Sequence, residues 1–155
     1  MPHKLVRAAP AYARFPYRGR VGALRTVWFL THPQVEVSPE VPVPSWGLSE
    51  VGRRRAQRLR GVPMLAGVTG WWSSTETKAV EAARLIAPVD AVRHTHELLG
   101  ENDRSATGFV PPEEFEVLAD EFFAHPERSV RGWARARDEQ ARIVSTVENV
   151  LDDPR

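Results

Sequence analysis

The chain has 155 residues, 42% of them hydrophobic, with 21 basic residues against 20 acidic ones and no cysteine. That length and apolar content suit one compact domain, and the lack of cysteine excludes disulfides, thiolate metal sites and a cysteine nucleophile, as befits a reducing cytoplasm. No apolar run reaches the about 18 residues needed to cross a bilayer, and Arg25 interrupts the most apolar stretch, 21–30.

Lys4, Arg7, Arg14, Arg18, Arg20 and Arg25 all precede the first acidic residue, Glu36, so the chain opens on a basic segment. It lacks the apolar or Ser-rich amphipathic pattern of a targeting peptide. Pro2, Pro10, Pro16 and Gly19 argue against order, so 1–24 is expected to be a basic, flexible extension and 25–155 an α/β domain. The body has no clustered basic face with interleaved aromatics, which argues against nucleic acid as a partner.

Residues 26–30 are apolar and β-branched at their start, as a strand buried on both faces should be, and the strand ends in Thr31-His32-Pro33. Pro33, Pro39, Pro42 and Pro44 then require a surface loop. Ser49 is a predicted N-cap for a helix from Glu50, with Gly61 beyond its end. "VTGWWSS" reads as a second buried strand and "TETKAVEAARLIA" as a helix stopped by Pro88. Adjacent strand residues face opposite sides, so Trp71 and Trp72 are both expected to pack under helices.

"DAVRHT" is a third short strand, and 96–112 form a long loop. A helix over 112–124 places Phe115, Leu118, Ala119, Phe122 and Phe123 on one face. The longest predicted helix covers 129–151, with Trp133, Ala136, Gln140, Ile143, Val144, Val147 and Val150 along one stripe. Strand, helix, strand, helix predicts a three-layer fold: a parallel-type sheet with helices on both faces. Such a sheet binds ligands beyond the carboxyl ends of its strands, where His32 and Ser73-Ser74 stand beside helix N-termini that favour anions.

In this order and spacing, Thr31-His32-Pro33, Leu48-Ser49-Glu50-Val51-Gly52, the segment from Ser73 to Ala83, and Leu99-Gly100-Glu101 resemble the histidine phosphatase superfamily, the phosphoglycerate-mutase-like proteins. The likeness runs from Thr26 to Gly108. It implies hydrolysis of a phosphomonoester through a phosphohistidine on His32, with Glu101 as general acid kept protonated by burial or neighbouring charge. It further implies phosphate binding by Lys78, where the family places an arginine, and by Ser73. Arg104, in the acid-bearing loop and free to approach from the side, is read either as a substitute for the lost arginine or as a surface residue paired with Asp103 or Glu101. The scheme needs no metal or other cofactor, and the partner it implies is a small phosphorylated substrate.

The chain departs from the pattern at Thr31, Pro33 and Lys78, where the family has arginine, glycine and arginine. Two bidentate phosphate clamps are thereby lost, and a lysine restores one only as a point charge. The family also carries a second histidine in a Ser-His-Gly strand after the long helix, whereas this sequence stops at Arg155, so the domain is expected to be incomplete at its C-terminus. The alternative function is therefore a weakened relative that binds a phosphorylated ligand or protein without turning it over. His94 and His96, with Glu97 and Glu101 nearby, raise a metal reading, but a strand-end pair falls short of three converging ligands. His3 and His125 carry no assigned role. A serine hydrolase is set aside because Ser73 and Ser74 lack the flanking glycines of a nucleophile elbow.

Overall fold

The computed structural model describes residues 12–18 and 24–153. Strand β1 (Tyr12–Arg18) pairs antiparallel with β2 (Leu24–Leu30), in register from Tyr12 opposite Leu30 to Arg18 opposite Leu24. The sequence reading placed 12–18 in the extension because of its prolines. Pro16 stands opposite Thr26 on an edge strand, since among the described residues β1 pairs with β2 alone, and such edges are where a sheet admits proline. The rest of the expected extension, 1–11 and 19–23, lies outside the described residues.

The proline-rich loop after His32 is closed at its neck, where Val35 bridges Leu48 and the Ser49 N–H donates to Gln34 O at 3.0 Å. Helix α1 (Glu50–Leu59) follows, its N-cap Ser49 accepting the Gly52 N–H at 3.1 Å. Gly52 is dictated by this closure, since a Cβ there would stand 2.0 Å from Gln34 O. Strand β3 (Trp71–Ser73), helix α2 (Thr77–Ile86) and β4 (Arg93–Thr95) form a β-α-β unit whose strands pair parallel. Arg60 donates to the Arg84 and Leu85 carbonyls, satisfying the otherwise unpaired C-terminus of α2.

Helix α3 (Pro112–Ala124) buries Leu118 and Phe122, whereas Phe123, placed on the same face by the sequence pattern, is 75% exposed. The predicted helix over 129–151 begins only at Ala136, as α4 (Ala136–Asp152). Arg131 (φ 47°) and Gly132 (φ 85°) take left-handed backbone that no helix continues. That turn drives Val130 and Trp133 into the core. There the Trp133 indole donates to Thr107 Oγ1 at 2.8 Å, and Ser129 Oγ donates to Trp133 O.

The core is in two parts. Leu48, Ala56, Leu65, Trp71, Ala82, Ile86 and Ala87 form one, joining α1, α2 and β3; Leu118, Phe122, Val130 and Trp133 form the other. Trp71 packs as expected, while Trp72 turns the other way and stacks on His94, ring centroids 4.7 Å apart. A cavity of about 1290 Å³ lies between β2 and β3, with Ile143, Val147 and Val150 of α4 along it. Thr31, His32, Ser73, Ser74 and Glu101 stand around it as well.

Candidate active site

His32 is held at the end of β2 by both ring nitrogens. Nδ1 lies 2.7 Å from Pro33 O and Nε2 lies 2.8 Å from Glu101 Oε1. Both neighbours accept hydrogen bonds, so satisfying both requires either an imidazolium or a protonated Glu101. The electrostatics favour the imidazolium. The hydrogen bond to Glu101 raises the His32 pKa above 6.5, outweighing burial and the Lys78 charge, which lower it. Burial opposes ionisation of Glu101, but the His32 hydrogen bond and the charges of Lys78, Arg104 and His32 together bring its carboxyl down to about 2. The two shifts run in opposite directions, and both favour an ionised Glu101 with the proton on His32.

Lys78, in the first turn of α2, is 1% exposed, the largest fully buried side chain among the described residues. Its ammonium donates to Glu76 Oε1 at 2.9 Å and lies 3.6 Å from Glu101 Oε2. Two carboxylates therefore neutralise one buried cation, as burial of a charge demands. Arg104 donates to Glu101 Oε2 at 2.5 Å, and its guanidinium lies 5.1 Å from the Phe115 ring centroid and 5.9 Å from that of Trp133. Those faces hold a loop arginine in place. His32, Lys78 and Arg104, singled out from the sequence, thus converge on the carboxylate of Glu101.

Ser73 is placed differently. Its hydroxyl donates to Ser74 O, and it is Ser74, 5% exposed, whose hydroxyl joins the charged cluster, donating to Glu76 Oε2 at 3.2 Å. Of the suggested metal ligands, His94 is stacked on Trp72, and His96 Nδ1 accepts the Leu98 N–H. Two residues that the sequence reading passed over also matter. Glu76 Oε2 accepts the Glu101 N–H at 3.1 Å, and Arg142 of α4 donates to the carbonyls of Leu98, Gly100 and Glu101. Glu76 had a signal, its place two residues from both Ser74 and Lys78; Arg142, 41 residues from Glu101, had none.

No family model matches the sequence, and no curated protein does. Among solved structures the fold is similar to that of Bacillus stearothermophilus YhfR, with a TM-score of 0.63, 22% identity and 78% of this chain covered. YhfR has a phosphoglycerate-mutase-like histidine phosphatase fold. This chain spans 64% of the YhfR chain. The likeness establishes an α/β, phosphoglycerate-mutase-like fold. Among the described residues no helix is long and apolar enough to cross a membrane.

Proposed function

We propose that the protein is a phosphomonoester hydrolase acting through a phosphohistidine on His32. The observation that carries this reading is the 2.8 Å contact between His32 Nε2 and Glu101, a candidate nucleophile against a candidate acid with two cations behind it. A phosphoryl group entering between them removes the hydrogen bond that keeps Glu101 ionised and brings its own negative charge, so the proton moves to Glu101. His32 Nε2, oriented by the Nδ1–H bond to Pro33 O, then attacks phosphorus in line. The P–O bond breaks as Glu101 protonates the leaving oxygen. Water attacks the phosphohistidine, Glu101 takes its proton, and the P–N bond breaks to release phosphate. Lys78 and Arg104 offset charge on the phosphoryl oxygens, and no step calls for a metal. A cysteine-free chain suits the cytoplasm for this work.

The test is to quench the protein rapidly during incubation with excess phosphomonoester, holding alkaline pH because phosphohistidine is acid-labile. A phosphate on His32 by mass spectrometry is expected; hydrolysis that persists unchanged in His32→Ala overturns the assignment. A second reading, a site that binds phosphate without turnover, is favoured by the two carboxylates already paired with Lys78. It predicts inorganic phosphate binding with no phosphohistidine at any time point.

A further inference from the structure

The peptide of Glu101 is gripped from both sides by charged side chains of two helical segments that are distant in sequence. On one side Glu76, only 12% exposed and at the N-cap of α2, accepts the Glu101 N–H with Oε2, while its Oε1 takes the Lys78 ammonium. On the other side Arg142 of α4 donates to Gly100 O at 3.0 Å and to Glu101 O at 3.1 Å, and also to Leu98 O. Arg142 is itself fixed by an ion pair with Glu139, one turn earlier in α4. We propose that Glu76 and Arg142 are positioning residues that hold the Glu101 carboxylate against His32 Nε2.

The chemistry of each grip is specific. Glu76 receives hydrogens from Ser74 Oγ, Lys78 Nζ and Glu101 N, so both of its oxygens must accept. A glutamine has one accepting oxygen and one donating nitrogen and leaves a donor facing a donor in either orientation. Arg142 spans three carbonyls because its guanidinium carries five donors in a fixed fork, which a lysine ammonium on a flexible stem does not reproduce. Neither residue is placed against a reacting atom. A loop carrying an acid would otherwise be free to drift, and a misplacement of about 1 Å costs about a hundredfold in rate.

This inference rests on the reading of Glu101 as the partner and acid of His32, and its principal test needs no turnover. The charged groups acting on His32 are Glu101 and Lys78, with Arg104 held on Glu101, so displacement of Glu101 leaves mainly the cations. In Glu76→Gln and Arg142→Lys, both checked for native dispersion, NMR titration of the His32 ring is expected to give a midpoint shifted down towards 6.5 from its raised wild-type value. Glu101→Gln sets the full extent of that fall. Arg142→Lys, on a partly exposed side chain, supplies the result if Glu76→Gln does not fold. In turnover, both variants are expected to lose about a hundredfold more activity on alkyl than on aryl phosphates. A folded variant whose His32 titration matches wild type overturns the proposal. A titration that shifts without any leaving-group effect leaves the positioning intact and instead removes Glu101 as the acid.

Discussion

His32 and Glu101 form a pair whose value depends on pH in a definite direction. Glu101 has a folded pKa of about 2 against an ordinary 4.5, so its contribution to stability is present above 4.5 and is lost as pH falls towards 2. His32 is raised above 6.5, so its contribution is present below 6.5 and is lost as pH rises through the folded value. The stability difference between wild type and Glu101→Gln is therefore expected to peak between 4.5 and 6.5 and to narrow on either side, as denaturant unfolding across pH will measure. A flat difference would place the carboxylate's partner elsewhere. In catalysis, Glu101→Gln is expected to slow alkyl phosphate hydrolysis by about a hundredfold to ten-thousandfold while leaving aryl phosphates, whose leaving groups scarcely need a proton, far less affected. Equal losses on the two substrate types would remove Glu101 from the acid role.

Local signals predicted the helices well where the chain's own chemistry fixes their ends, and poorly where a distant contact does. The α1 start is legible because the Ser49 cap is local, but Gly52 acquires its necessity from Gln34, across a loop. Gly52→Ala is expected to destabilise by about 1–3 kcal/mol, since the backbone of Gln34 must move to admit the methyl group. Thermal melting checks this; an unchanged midpoint would mean the loop neck is not held closed. The long amphipathic stripe over 129–151 was misread at its start, where Trp133 stands at helical spacing from Ala136 although Val130 and Trp133 belong to no helix. They are buried by a turn at Arg131–Gly132 instead, where an added Cβ on Gly132 would stand 2.7 Å from that of Ala106. In the opposite direction, prolines concealed the strand Tyr12–Arg18, which is held by backbone pairing that no local pattern announces.

Among the described residues the buried apolar side chains form two separate clusters, one on α1, α2 and β3 and one around Trp133. Trp133 belongs to the second, under Arg104 and bonded to Thr107. Trp133→Ala is expected to cost about 3–5 kcal/mol and, in hydrogen exchange, to expose α3 and α4 well before α1 and α2. Uniform loss of protection would instead mark a single cooperative core. The order of strands and helices from β2 onward, the histidine at a strand tip and the lysine at the start of a helix were legible in the sequence because each depends on neighbours a few residues away. The shared placement of His32, Lys78 and Glu101 was legible only through resemblance, and Arg104 only as a loop residue free to approach, since these residues lie up to 72 positions apart. The state of the proton, the burial of Lys78 between two carboxylates, the choice of Ser74 over Ser73 and the grip of Arg142 were decided in three dimensions. Charge interactions and hydrogen bonds depend on distance in space, and a linear sequence specifies that distance only after the chain has packed.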